Sequence, residues 1–193
     1  MKRLMILALA GLFVFSACSG GDDGPDPIIG SWDTGCRSDG DGGYERAVYN
    51  ILGDSMDFNH WSYSSSDCSD GSMLTVFFGD GSIAQAGQAS ATLSGATVKA
   101  TRIDTTFTNF KARLITQEFA DVFNLISFCG KTDWAPAVDV NILACMIPVN
   151  PVKGLIYTEK SGGTDMMYFD DEDSAPDPDG YPTVLDPTPY KRN

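Results

Sequence analysis

Short segments in which apolar and polar residues alternate dominate the chain from about residue 30 to residue 115. In the clearest segment, Ala47, Tyr49 and Ile51 share one face of a strand predicted over residues 44–52, because successive side chains of a strand point to opposite faces. The other predicted strands lie near residues 31–36, 56–63, 74–78, 98–101 and 110–114. Turn sequences separate these segments at Gly53-Asp54, Gly79-Asp80-Gly81 and Asp104-Thr105. Short strands at this spacing predict an antiparallel barrel or sandwich.

One helix is predicted to interrupt the strands, over residues 116–127. Its apolar positions recur at the spacing of one helix face and are Phe119, Val122, Phe123 and Ile126. Thr116 is suited to cap the first turn. The pattern then predicts a helical turn near residues 135–140, strands near 155–159 and 166–170, and a last extended segment at 182–186. The expected fold is therefore mainly β, with one helix inserted before the last strands.

The first residues have the pattern of a bacterial lipoprotein signal peptide. Lys2 and Arg3 precede an apolar run over residues 4–15, which is too short to span a bilayer. Phe15-Ser16-Ala17-Cys18 then predicts cleavage after residue 17 and lipidation of Cys18. Several acyl chains would hold the protein on a membrane, at about 0.8 kcal/mol for each buried methylene. The alternative is an ordinary secretory signal that is cut nearby.

The residue after Cys18 is Ser19, which carries no signal for retention at the inner membrane, so we expect the outer membrane in a Gram-negative host. Residues 18–28 are rich in Gly, Ser, Asp and Pro and predict a flexible tether. Residues 29–193 have the length of a single domain.

The balance of acidic and basic residues narrows the classes of function that the chain can have. The chain has 13 Lys and Arg against 26 Asp and Glu. Without Lys2 and Arg3 of the leader, 11 basic residues oppose 26 acidic ones, a formal net charge of −15. A nucleic-acid-binding protein needs the opposite sign, so that class is excluded.

Four cysteines remain once Cys18 carries lipid. Export to an oxidising compartment and an even count predict two disulfides. Four cysteines allow three pairings, of which we predict Cys36–Cys68 and Cys129–Cys145, because each pair brackets its own section of chain. A zinc–thiolate site is the alternative, but close Cys-x-x-Cys pairs are absent from the sequence.

The sequence offers no catalytic constellation and no cofactor motif, so we expect a protein that is not an enzyme. His60 is the single histidine, and no Gly-x-Ser-x-Gly elbow, P-loop or dinucleotide fingerprint accompanies it. A half-exposed strand histidine is the simpler interpretation.

The acidic stretch near the C-terminus predicts a solvated loop, with a weak calcium site as the alternative. The acids of that alternative are Asp171, Asp173, Asp177 and Asp179.

Two sets of motifs resemble a known family. Gly30-Ser31-Trp32 ahead of Cys36, and Tyr63 ahead of Cys68, resemble the opening of lipocalin-like domains, in which Gly-x-Trp leads into a first disulfide. Later segments resemble a family of uncharacterised bacterial lipoproteins with such a domain. The segments are Phe128-Cys129-Gly130-Lys131-Thr132-Asp133-Trp134, Cys145, Met167-Tyr168-Phe169, Pro182-Thr183-Val184-Leu185-Asp186 and Tyr190-Lys191.

The resemblance implies a barrel of about eight strands, with Trp32 closing its floor. Such a barrel holds a small apolar ligand or is filled by its own side chains. The first hypothesis is a lipid-anchored protein of the cell envelope that binds an apolar small molecule or lipid. Aromatic side chains on neighbouring predicted strands would line its pocket, namely Phe58, Trp61, Tyr63, Phe77 and Phe78. The second hypothesis is a structural or interaction lipoprotein with a filled barrel and an envelope protein as its partner.

Overall fold

The computed structural model describes residues 27–171 and 173–193. The first strands are β1 (Gly30–Asp33), β2 (Arg37–Ser38), β3 (Tyr44–Leu52), β4 (Ser55–Tyr63), β5 (Met73–Leu93) and β6 (Ala96–Leu114). Helix α1 (Gln117–Leu125), β7 (Asp139–Asn141) and helix α2 (Leu143–Met146) follow. The last strands are β8 (Val152–Ser161), β9 (Thr164–Phe169), β10 (Val184–Leu185) and β11 (Tyr190–Arg192).

Eight of these strands close into an antiparallel barrel, which confirms the predicted fold class. The ring runs β1-β3-β4-β5-β6-β8-β9-β11 and returns to β1. Strand β1 completes it, because Trp32 pairs with Tyr49 of β3 on one side and with Arg192 of β11 on the other. The sequence did not predict β11, which has only three residues and therefore no measurable alternation. Strands β2, β7 and β10 lie outside the ring, and β10 pairs with β5 in parallel.

Strands β5 and β6 are longer than the sequence predicted. The turns expected at Gly79-Asp80-Gly81 and Asp104-Thr105 are wrong, since both strands continue through these positions and only their mutual register shifts, at Asp80/Gly81. A Cβ on Gly81 would lie 2.2 Å from the carbonyl oxygen of Thr106. The glycine therefore permits close approach of two strands where the pattern indicated a turn. Beyond the barrel the two strands form a ribbon over residues 86–100, here called the arm.

The inward face of β5 is not the one that carries its alternating apolar residues. Leu74, Val76 and Phe78 alternate along the strand, but the residues that pair with inward positions of β4 are the other set, Thr75, Phe77 and Gly79. A Cβ on Gly79 would lie 2.8 Å from the Phe58 ring and 3.1 Å from the Phe110 ring. Position 79 on the inward face of β5 is therefore a glycine, because rings from both neighbouring strands occupy the space that a side chain would need.

Three clusters of buried residues stabilise the fold. At the end where the chain enters, here called the floor, the cluster is Ile28, Trp32, Ile51, Met56, Ile83, Ile103, Ile156 and Met167. At the opposite end, the mouth, it is Phe58, Phe110, Ala112, Leu114, Ala120, Trp134 and Ile142. An outer cluster packs the arm and β10 against the outside of the barrel and contains Ala91, Ala100, Leu155, Tyr168 and Leu185.

Residues 115–151, between β6 and β8, form an insertion at the mouth. It holds α1, whose first turn is capped by the Thr116 side chain, which accepts a hydrogen bond from the backbone N–H of Phe119. The helix is as predicted, but its buried face is not, because Ala120 is buried whereas Val122 and Ile126 are exposed. The helical turn expected at residues 135–140 lies a few residues later, as α2, and β7 takes part of the expected place.

Both predicted disulfides are present, as Cys36–Cys68 and Cys129–Cys145. The first links the segment before β2 to the loop after β4. The second closes the insertion on itself. Both lie at the mouth end of the barrel, so the covalent links of the described chain are concentrated there.

Candidate functional site

The five aromatic residues that were predicted to line a pocket do not lie together. Phe58 and Phe77 point into the barrel, since they pair in register with Gly79 and His60 on the inward face. Trp61 and Phe78 occupy alternate positions and lie on the outside. Tyr63 shares the outer face of β4 with Trp61 and is buried there. Burial raises the pKa of the Tyr63 hydroxyl.

Aromatic rings fill the middle of the barrel. They belong to Tyr49, Phe58, Phe107, Phe110, Phe169 and Tyr190. The rings of Phe58 and Phe110 stack with 5.2 Å between centroids, and those of Tyr49 and Phe169 lie 4.6 Å apart. Such ring pairs are worth about 0.5–1.5 kcal/mol beyond their burial. A ligand in the barrel would have to displace these rings.

The floor is closed by the first and last strands of the ring. Trp32 is fully buried, and its indole Nε1 donates a hydrogen bond to the carbonyl oxygen of Ile28 at 2.8 Å. The Arg192 guanidinium lies 4.6 Å from the centre of the Trp32 ring. This arrangement fits the structural role that the resemblance implied for Trp32.

One half of the mouth is covered by the insertion. Trp134 is buried at its centre, with the rings of Phe123 and Phe128 at 5.3 and 5.8 Å. The Asn124 side chain accepts from the Trp134 N–H at 2.7 Å and donates to the Trp134 carbonyl at 3.0 Å, which fixes the loop on α1. This half of the mouth is therefore a rigid aromatic lid above β6.

The other half of the mouth is polar and partly open. Glu45 accepts a hydrogen bond from Arg37 Nε at 2.8 Å, and its second carboxylate oxygen lies 2.8 Å from His60 Nε2. The His60 side chain is 33% exposed, and its ring stacks on Phe77 at 6.3 Å. His60 is thus a half-exposed strand histidine, as the simpler interpretation held. Paired with Glu45 and next to Arg37, it is part of a satisfied ionic network.

A buried hydroxyl lies beside this network. Thr75 pairs with Ser62 of β4 and Leu114 of β6, and it is 3% exposed. Its Oγ1 has no hydrogen-bond partner among the described residues. Leaving such a group unpaired costs about 1–3 kcal/mol.

The acidic loop is fixed to the barrel by an arginine. Arg102 of β6 forms ion pairs with Asp177 and Asp179 and lies 4.8 Å from the Tyr181 ring centre. The hydrogen bond from the Tyr181 N–H, followed by the charge of Arg102, lowers the pKa of Asp177. Two of the four candidate calcium ligands therefore have a protein cation as their partner.

The carboxylate of Asp171, a third candidate ligand, accepts a hydrogen bond from the backbone N–H of Asp173 at 3.0 Å. Within residues 27–171 and 173–193, no three His, Cys, Asp or Glu side chains come together as a metal-binding group. The sequence did not identify Arg102, because nothing in its local pattern relates it to acids more than 70 residues away.

Open clefts lie on the surface at the floor and on the arm. The cleft at the floor, of about 330 Å³, is lined by Pro27, Trp32, Thr158, Glu159, Asp165 and Arg192. The cleft on the arm, of about 400 Å³, is lined by Gln88, Ala89, Ser90, Thr97, Val98 and Lys99. Both have mixed polar and apolar walls, and neither includes the five aromatic residues of the predicted pocket.

Exposed apolar side chains are concentrated on the insertion. Eight large apolar side chains are exposed in the described chain, and only Leu52 and Val152 lie outside the insertion. Those of the insertion, here called the insertion surface, are Val122, Leu125, Ile126, Val138, Met146 and Val149. The sequence carries a signal for this surface, because apolar residues occupy more of the circumference of α1 than one buried face needs.

Cys18 and the rest of the predicted leader lie outside the described residues. Within the described part of the chain, no helix has both the length and the apolar character needed to cross a membrane. No protein-family model matches the chain, and no match is found among curated proteins.

Proposed function

We propose that the protein is a lipid-anchored, non-enzymatic interaction protein of the cell envelope, with its filled barrel as a scaffold. The observation that carries this proposal is the set of aromatic rings inside the barrel. A carrier needs an apolar cavity of about 300 Å³ or more to hold a small ligand. Rings such as Phe58 and Phe110 stand where that cavity would be. Of the two hypotheses drawn from the sequence, the geometry favours the interaction protein.

The insertion surface is the part that contacts the partner. Contiguous exposed apolar surface on a soluble domain is typical of an interaction site. On α1, Val122, Leu125 and Ile126 follow the i, i+3, i+4 spacing of a single helix face. Glu118 and Asp121 of the same helix are exposed, so the partner would present an apolar patch with basic residues around it.

The described chain begins at one end of the barrel, and the insertion surface lies at the other end. The described chain enters at the floor, where Ile28 packs with Trp32. The insertion follows Leu114 at the mouth. A tether of residues 18–28 reaches at most about 40 Å when fully extended. With the anchor proposed at Cys18, such a tether would keep Ile28 within about that distance of the membrane.

The anchor is tested by Cys18→Ala. The protein should move from the membrane fraction to the soluble fraction of the producing cells. If Cys18→Ala stays with the membrane, the anchor proposal is wrong.

The filled interior is tested by native mass spectrometry of the protein purified from its producing cells. The expected mass is that of the polypeptide and its covalent lipid alone. A co-purifying lipid or other small molecule bound non-covalently would favour the ligand hypothesis instead.

The insertion surface is tested by the double variant Leu125→Asp/Ile126→Asp, with Leu52→Asp as the matched control. Leu52 is equally apolar and is 66% exposed, but it lies on a barrel turn. After formaldehyde cross-linking in the producing cells, the adducts of the unmodified chain should persist in the control and disappear in the double variant. Adducts that are unchanged in both would contradict the proposed docking surface.

A further inference from the structure

The arm exposes a strand edge. Strand β4 accompanies β5 only as far as Ser82, and β10 joins the same side of β5 at Thr92 and Leu93. Between these points, residues 87–91 of β5 pair with β6 on one side and have no strand partner on the other within the described chain. An edge of this kind presents backbone N–H and C=O groups to any strand that approaches.

Two of the features that normally protect an edge are missing from this segment. Natural sheets discourage edge pairing with charged side chains, prolines and bulges. No charged residue and no proline occurs between Asp80 and Lys99, the longest uncharged run in the described part of the chain. The one bulge, a register shift between Gln85 and Gly87, stands at the start of the segment, where Gly87 has a φ of +107°.

The fold already uses the same edge of β5 to bind a strand. Val184 and Leu185 of β10 pair with Thr92 and Leu93 in parallel. The carbonyl oxygen of Thr183 also accepts a hydrogen bond from the Thr92 N–H at 3.0 Å. Beyond the irregularity at Gly87, residues 88–91 continue that edge up to Thr92 and are extended strand.

We propose that residues 87–91 pair with the same residues of a second copy, so that two arms form a continuous antiparallel sheet about a two-fold axis. Antiparallel pairing of identical edges is self-complementary, as a two-fold interface requires. A chain with a formal net charge of −13 repels its own copies over most of its surface. The uncharged arm is where two copies approach without that repulsion.

The side chains of the segment allow close approach of two arms. They are Gly87, Gln88, Ala89, Ser90 and Ala91, of which Ala89 and Ala91 face the outer cluster and the barrel. An edge of five residues buries much less than the roughly 1,600 Å² of a standard interface, so we expect weak association. Confinement on one membrane would raise the effective concentration of the arms.

The test is cysteine cross-linking of the full chain. Ser90→Cys places a thiol on the exposed face at the proposed edge. Thr97→Cys is the matched control, because Thr97 is equally exposed on the same arm but lies on β6. With a short bis-maleimide, Ser90→Cys should give a covalent dimer at least ten times more efficiently than Thr97→Cys. Equal efficiency, or no dimer from Ser90→Cys, would overturn the proposal.

A second variant checks that the dimer forms through the edge. Gln88→Glu added to Ser90→Cys places a carboxylate of each copy one residue from the two-fold axis at Ala89, on an exposed position that does not enter the core. The dimer yield should fall at least five-fold, with the circular dichroism spectrum unchanged. An unchanged yield would contradict pairing at this edge. A cross-linked product with the mass of a different protein would show that another strand occupies it.

Discussion

The two ends of the barrel are closed by different means. At the floor, the ring closes itself, with Trp32 beneath Arg192 and aliphatic side chains from the surrounding strands. At the mouth, the insertion covers half of the opening. It is cross-linked by the Cys129–Cys145 disulfide and packs against the barrel through Trp134. The floor is therefore inseparable from the barrel, whereas the mouth is an addition that can vary. A variable segment supported by a rigid scaffold is the usual place for a recognition surface.

The largest expected effect is that of Trp32→Ala at the floor. Removing a fully buried indole should lower the free energy of unfolding by about 3–5 kcal/mol, as measured by chemical denaturation. Trp61→Ala is the control, because Trp61 lies on the outer face and should cost much less. If both variants lose the same stability, the floor does not depend on Trp32 in the way proposed.

The next effect concerns the mouth. Cys129→Ser/Cys145→Ser opens a loop with a sequence separation of 16, which should cost about 3 kcal/mol in the chain-entropy model. Hydrogen exchange should increase in the insertion and remain slow in β3 and β9. Faster exchange throughout the ring would mean that the insertion contributes to the stability of the barrel. The two ends would then not differ in the way described above.

The free energy of unfolding should also depend on pH through Asp33 of β1, the strand that completes the ring. Burial raises the pKa of Asp33, but hydrogen bonds from Arg46 and the Gly35 N–H outweigh it and leave the pKa below its ordinary value. A carboxylate of this kind stabilises the fold fully above its unfolded pKa of about 3.9, and the contribution is lost as the pH falls through the lower folded pKa. Asp33→Asn should cost about 1–3 kcal/mol at pH 7.

The acid sensitivity is measured by repeating the denaturation of Asp33→Asn and of the unmodified chain from pH 7 downwards. The difference between the two should shrink below pH 4. Cys129→Ser/Cys145→Ser should show no such convergence with the unmodified chain, since a disulfide does not titrate. A constant difference for Asp33→Asn would contradict the role of the Asp33–Arg46 pair.

The smallest effect is expected from Thr75→Val, at the polar half of the mouth. The substitution replaces an unpaired buried hydroxyl with a methyl group of similar size, so stability should stay the same or rise by up to about 1 kcal/mol. Thr105→Val is the comparison, because Thr105 is also buried but is not among the unpaired groups. A clear loss in Thr75→Val would show that the hydroxyl has a partner, such as an ordered water.

Local patterns were enough to predict the strands whose inward faces are apolar, such as β3 with Ala47, Tyr49 and Ile51. They were also enough for α1 with its Thr116 cap and for the disulfide pairing. They failed on β5, because its inward face is set by rings from β4 and β6 that take the space above Gly79. They failed in part on the face of α1, since Val122 and Ile126 have no core to enter.

The candidate site was harder to predict than the fold, because its residues find their partners far away in the sequence. The predicted aromatic pocket grouped Phe58, Trp61 and Phe78 because they lie on neighbouring strands, but the strand pairing places them on two faces of the sheet. The acidic loop was predicted to be solvated, with a calcium site as the alternative, because Arg102, its partner, lies more than 70 residues earlier in the chain. Partners that are brought together only by the completed ring cannot be found from a local pattern.

The pairing of Trp32 with Arg192 has a consequence for how the protein is made. The ring cannot close until β11 pairs with β1, so a folding intermediate in which Tyr190–Arg192 is unpaired keeps two free sheet edges. Contacts between residues so far apart in sequence are typical of slow folding and of intermediates that aggregate. The pairing of Tyr190–Arg192 is therefore the step that removes those edges, and a fusion placed directly after Arg192 should slow folding more than it destabilises the folded protein.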